Sequence, residues 1–155
     1  MAEVIGLHRL TPAALAQYLS LLDQGPIDRY SQLIAQEALP ALRREVEASL
    51  RPALRREVCM AVAVLARGLG PPPSIEDPAK FGETVEEHLA VSGYPADVLE
   101  AAVFEAHDTL PYLTIAGMIT ICERLIQPRR RRLRGIAEME AEHRRRKDVA
   151  GRLFR

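Results

Sequence analysis

The 155-residue sequence predicts an all-α fold, a helical bundle with a bent N-terminal helical arm and a protruding basic C-terminal helix. Three observations carry that reading. Ala, Leu, Arg and Glu dominate, and all of them favour helix. No run joins period-two alternation to β-branched enrichment, the mark of a strand. Apolar residues recur three and four apart in stretches punctuated by Pro and Gly. The chain is long enough to bury a real core. With 48% hydrophobic residues, no Trp, four Tyr and three Phe, that core must be aliphatic.

The first helix begins at Thr11-Pro12, an N-cap followed by a residue whose fixed φ suits the first helical position. Leu15, Leu19 and Leu22 form its apolar stripe with Tyr18 beside them, and Gly25-Pro26 ends it. Asp28 caps the next segment, with Tyr30, Leu33 and Ile34 facing inward. An internal echo follows, in which Pro40–Val46 (PALRREV) recurs as Pro52–Val58. In one continuous helix an offset of twelve residues would turn the second copy by roughly 120° about the axis. Each proline would also break or kink such a helix. The sequence therefore predicts a segmented, bent arm over Asp28–Arg67. The echo reads as local duplication, because stacking into a solenoid takes at least three repeats.

Gly68–Ser74 (GLGPPPS) has the composition of a stiff linker. A boundary there gives an N-terminal arm (residues 1–67), a central helical domain (75–127) and a basic C-terminal helix (128–155). Asp77-Pro78 restarts helix as cap and first position. Phe81, Val85 and Leu89 mark its buried side, and Gly93 supplies a C-terminal stop. After Tyr94-Pro95, residues Val98, Leu99, Ala102, Val103 and Ala106 fall on one helical face. Leu110-Pro111 ends that helix, since the residue before a proline is pushed out of the α region. Thr114 caps the next one. There Ile115, Met118, Ile119, Cys122, Leu125 and Ile126 make an apolar stripe that Pro128 ends or bends.

The run Tyr94-Pro95, Val98-Leu99, Ala102-Val103, Leu110-Pro111, Thr114-Ile115-Ala116 and Cys122-Glu123 resembles a pattern found in small helical replication accessory proteins of phages and prophages, among them helicase loaders. The resemblance spans about residues 78–127 and rests on helix-punctuating and core positions. It implies a role in loading or adapting a replicative helicase, with a protein partner and DNA as ligands. Where that pattern carries an acidic residue after Ile-Ala, this chain has Gly117, so Thr114 lacks the carboxylate that would complete a capping box.

Charge is strongly segregated. Residues 1–126 hold 10 Lys+Arg against 17 Asp+Glu, whereas residues 127–155 hold 11 against 4. Arg129, Arg130, Arg131, Arg132 and Arg134 form one basic run, and Arg144, Arg145, Arg146 and Lys147 another. Glu138, Glu140 and Glu142 lie between them. Leu133, Ile136 and Met139 are too sparse for a sustained heptad, so a mostly solvated helix from Pro128 to about Val149 is expected. Val149, Leu153 and Phe154 make a short apolar end. The nine cations are the candidate nucleic-acid-binding residues, because closely spaced Arg neutralises phosphates. No aromatic interleaves them, so base stacking is not implied. The asymmetry equally suits an arm that folds back on its own acidic body. Arg exceeds Lys throughout, 19 to 2, which also fits a codon preference.

Little else in the sequence points to chemistry. Glu105, His107 and Asp108 lie close together and Glu87-His88 sits on the preceding helix, but no HExxH or CxxC spacing makes them a metal site, and surface and turn roles are the plainer reading. Ser31, Ser49, Ser92, Cys59 and Cys122 lack a nucleophile elbow or an oriented base. Gly68-Leu69-Gly70 runs into prolines and is no phosphate loop, which excludes an ATPase-type loader and leaves no cofactor motif. The isolated cysteines suggest buried thiols in a reducing compartment. MAEVIGLHRLTP lacks a signal pattern, and Val58–Ala66 is too short for a bilayer that needs about 20 residues; the cytoplasm is expected. The apolar stretch Leu42–Leu65 reads as core or as the seam of a homo-oligomer. The expected function is a non-enzymatic replication adaptor that binds a protein partner and DNA. The alternative is a regulatory or inhibitory protein-interaction module without DNA binding.

Overall fold

The computed structural model describes residues 9–24 and 32–155. In chain order its helices are α1 (Pro12–Asp23), α2 (Leu39–Ser49), α3 (Arg55–Gly68), α4 (Pro78–Ser92), α5 (Ala96–Thr109) and α6 (Ile115–Leu153), with a 3-10 turn at Gln36–Ala38 leading into α2. No strand occurs among the described residues, so the fold is all-α as expected. The Gly25-Pro26 stop, the Asp28 cap and the inward Tyr30 lie outside the described residues. The chain divides into two compact units. One joins Met1–Ser49 to Pro128–Arg155, and the other is Leu50–Gln127.

In the second unit α3 packs on α4 and α5. Its core is aliphatic, built from Val58, Val62 and Leu65 of α3, Val85 and Leu89 of α4, Val98, Leu99, Ala102, Val103 and Ala106 of α5, and Met118, Ile121, Cys122 and Ile126 of α6. The helix ends follow local sequence. The Lys80 amide donates to Asp77 Oδ1 at 3.1 Å, with Pro78 at the first helical position. Gly93 adopts φ 71°, left-handed backbone that a Cβ disfavours, and stops α4. Thr114 Oγ1 accepts the Gly117 amide at 3.0 Å and caps α6. A Cβ on residue 117 would stand 2.7 Å from that hydroxyl and 2.9 Å from Leu110 Cδ1, so the tight first turn explains why glycine sits there. Tyr94 is buried, and its hydroxyl donates to Glu123 Oε1 at 2.6 Å, tying the α4–α5 junction to α6. Tyr94, Thr114 and Glu123, among the residues that carry the resemblance, thus have packing and capping roles here.

The Gly68–Ser74 segment lies inside this unit and does not form its edge. Leu69 is buried in the core, and the Gly70 carbonyl accepts the Leu113 amide at 2.8 Å. The edge falls instead at 49/50, just ahead of Pro52. There the Ala53 amide donates to the Tyr94 carbonyl at 2.9 Å, which commits the chain to the second unit before α3 begins.

In the first unit the buried hydrophobic residues among those described are Leu22 of α1, Ile34, Leu39, Ala41, Leu42 and Val46 of α2 and its approach, and Ile136 and Met139 of α6. The Thr11-Pro12 start of α1 forms as expected, with the Ala14 amide on Thr11 Oγ1 at 3.2 Å. A Cβ on Gly135 would come within 3.1 Å of Leu22 Cδ2, so the small residue lets α1 and α6 approach closely.

The two copies of PALRREV meet different fates. Pro40 occupies the first turn of α2, where its missing N–H costs nothing, so only Pro52 breaks the arm. Leu42 is completely buried, but its counterpart Leu54 precedes α3 and is 54% exposed.

Pro128 does not end α6. The helix runs on for 39 residues although Pro128 removes the amide that would bond the Arg124 carbonyl. Ile126 before the proline is buried in the second unit, and Ile136 after it is buried in the first. Nor is the basic segment solvated all round. Ile136, Met139 and Glu142 are buried on one face, and residues 144–155 are exposed on every side. Val149, Leu153 and Phe154 stand in solvent.

Candidate nucleic-acid interface on helix α6

The nine cations of α6 divide into distinct environments. Arg129 reaches back to the end of α2, where its Nη1 donates to the Ser49 carbonyl at 2.6 Å and satisfies one of the helix's orphan acceptors. Arg132 forms a two-pronged pair with Asp23, Nε to Oδ1 at 2.8 Å and Nη2 to Oδ2 at 2.7 Å. Arg145 forks onto Glu142 at 2.8 and 2.7 Å, and Arg146 Nε adds a third bond at 3.0 Å. Arg130 is half-buried. Arg131, Arg134, Arg144 and Lys147 are exposed, and among the described residues no ion pair holds them.

The pairing leaves a mark on the acids. The hydrogen bond from Arg145, and then that from Arg146, hold the Glu142 carboxyl down from its ordinary 4.5 to about 2, against the opposing effect of desolvation. Asp23 is lowered mainly by the hydrogen bond from Arg132, with Arg131 close enough to add to the field. Two further interactions anchor the inner side of α6. Arg43 of α2 binds Glu140, with Nε 2.9 Å from Oε1, and a ring nitrogen of His143 lies 2.7 Å from the Ile34 carbonyl.

Some of this was legible and some was not. Glu142 precedes Arg145 and Arg146 by three and four residues, the spacing at which helical neighbours meet, so that cluster follows from sequence alone. The pairs Arg132–Asp23 and Arg43–Glu140 have no local signal, because they depend on how α1 and α2 pack against α6. The basic tail and the N-terminal helices thus share one unit holding 15 Lys+Arg against 10 Asp+Glu. The other unit holds 6 against 11.

Of the remaining candidates, Ser31 lies outside the described residues, Ser49 belongs to the first unit, and the others lie in the second. Glu105 pairs with Arg124, and Glu87 with Arg55 at 2.9 Å. His107 Nε2 lies 3.4 Å from the Leu65 carbonyl. Among the described residues no group of three His, Cys, Asp or Glu side chains converges to hold a metal ion, and no helix is long and apolar enough to cross a membrane. Cys122 is buried, and desolvation pushes its thiol up to about 12. Cys59 is only half-buried, with its S–H donated to Glu86 Oε1 at 3.0 Å.

No family model, curated protein or solved structure matches the chain.

Proposed function

We propose that the chain is a non-enzymatic adaptor of the phage replication-accessory, helicase-loader-like kind, which contacts DNA through α6 and a protein partner through its acidic second unit. The observation that carries the DNA reading is the set Arg131, Arg134, Arg144 and Lys147, exposed on one helix and held by no ion pair among the described residues. Arg134 and Arg144 stand about 15 Å apart along the axis and about 80° apart around it. That span suits phosphates on either side of a groove roughly 12 Å wide. With no aromatic between them, the cations fit backbone contact without base readout.

Binding of duplex and single-stranded oligonucleotides across a salt series tests this reading. Affinity should fall steeply with salt, and R134E/R144E/K147E should flatten the slope by about one unit for each phosphate no longer neutralised. A weak, salt-independent response removes DNA as the ligand. The competing reading, a regulatory protein-interaction module without DNA binding, is favoured by the neutralisation of Arg132, Arg145 and Arg146 on the chain's own carboxylates. Capture of a replicative helicase separates the adaptor from the regulatory module.

A further inference from the structure

Two helices of the second unit present outer faces that match each other in charge, size and spacing. On α3 the apolar residues exceed what the core can take. Val58, Val62 and Leu65 are buried, but Met60 is 68% exposed and Val64 also faces solvent. With Ala63 they form an apolar stripe, bounded by exposed Arg56 and Arg67. On α5 the core side is Val98, Leu99, Ala102, Val103 and Ala106, and the opposite side carries Phe104, 77% exposed. Around Phe104 lie Ala101, Asp97, Glu100 and Asp108, all exposed. Among the described residues no ion pair holds Arg56, Arg67, Glu100 or Asp108.

We propose that the outer face of α3 in one copy docks on the outer face of α5 in another. Arg56 and Arg67 are eleven residues apart, as are Asp97 and Asp108, which is about 16 Å of helix in each case. Laid antiparallel, Arg56 meets Asp108, Met60 meets Phe104, Ala63 meets Ala101 and Arg67 meets Asp97 in a single register. The two alanines fall near the crossing, where small side chains let axes approach to about 8 Å. This orientation also sets the positive end of each helix macrodipole beside the negative end of the other. Like-with-like pairing is disfavoured, because α3 on α3 opposes arginine to arginine and α5 on α5 opposes acid to acid. The partner is therefore a second copy presenting the other face. Opposite charges at both ends fix the register, and the exposed Met and Phe supply the apolar area.

The proposal concerns residues 50–127 alone and is independent of the DNA reading; R134E/R144E/K147E should leave it intact. Sedimentation velocity of the full chain at low ionic strength, up to about 1 mM, reads it directly, since weak associations fall in the micromolar to millimolar range. The mean mass should rise with concentration and fall with salt. R56E/R67E alone and E100K/D108K alone should each weaken association at least about tenfold, whereas an equimolar mixture of the two should associate, because the intact α3 face of the second variant meets the intact α5 face of the first. All four positions are exposed, so circular dichroism should show both variants folded. A wild-type chain that stays monomeric, reversal variants that associate like wild type, or a mixture that stays monomeric would each overturn the proposal.

Discussion

Arg132 and Asp23, 109 residues apart in the chain, join through two parallel hydrogen bonds of 2.8 and 2.7 Å. The pair ties the end of α1 to the middle of α6 within one unit, and it takes one guanidinium out of the basic run. Geometry of this kind is the favourable case for a partly exposed ion pair. Asp23→Asn should lower the stability of that unit by about 0.5–1 kcal/mol, read from a urea midpoint. If α6 meets DNA, the same change releases Arg132 and should raise duplex affinity at low salt; unchanged affinity would separate the pair from that interface.

Glu142 sets a pH dependence. Its folded-state carboxyl ionises at about 2 against an ordinary 4.5, so the charged form is favoured by folding. Its contribution is fully present above pH 4.5 and is lost as pH falls from there towards 2. Asp23, also lowered, acts in the same direction. Thermal midpoints measured from pH 5 to about 2 should fall with acidification. Glu142→Gln should be less steep across that window, and the same slope in both proteins would mean that the Arg145–Glu142–Arg146 cluster does not form.

The heptapeptide echo offers a matched comparison. Leu42 and Leu54 hold the same place in the two copies, yet Leu42 is fully buried and Leu54 is exposed. Leu42→Ala should cost about 2–5 kcal/mol through the apolar burial it removes and the residual cavity it leaves. Leu54→Ala should stay within about 0.5 kcal/mol. Comparable losses in denaturant melts would mean that both copies pack alike.

Helix punctuation was readable because it is local. Thr11-Pro12, Asp77-Pro78, Gly93 and Thr114 act through their own φ and hydroxyl or carboxylate groups, and each stands where the sequence places it. The buried faces of α4 and α5 follow from the 3.6-residue period for the same reason. Of the two outcomes left open at Pro128, an end or a bend, the end does not occur, and the helix runs through the proline despite its local cost of about 3 kcal/mol. The GLGPPPS segment misled because linker composition says nothing of Leu69 entering the core. On α6, Leu133, Ile136 and Met139 are too sparse for a sustained heptad, yet Ile136 and Met139 are buried. They suffice because Gly135 lets α1 approach and because Arg132, Glu140 and Glu142 share that face through paired charges. Which cations remain exposed therefore depends on tertiary partners that periodicity does not reveal.

The two thiols should differ in reactivity for different physical reasons. Cys122 is enclosed by the second unit's core, and desolvation, with the Glu123 charge adding to it, keeps it protonated, so it should resist a disulfide reagent until the unit unfolds. Cys59 is half-buried, and its thiol is held protonated chiefly by donating its hydrogen to Glu86, with Arg55 pulling the other way. Replacing that carboxylate by an amide removes the negative charge, keeps only a weaker neutral acceptor and leaves Arg55 nearby, which lowers the thiol's pKa towards its ordinary value and increases the thiolate fraction. Glu86→Gln should therefore accelerate modification of Cys59 at mildly alkaline pH while Cys122 stays protected. Equal rates in the wild type and the variant would show that access, and not the Cys59–Glu86 hydrogen bond, limits the reaction.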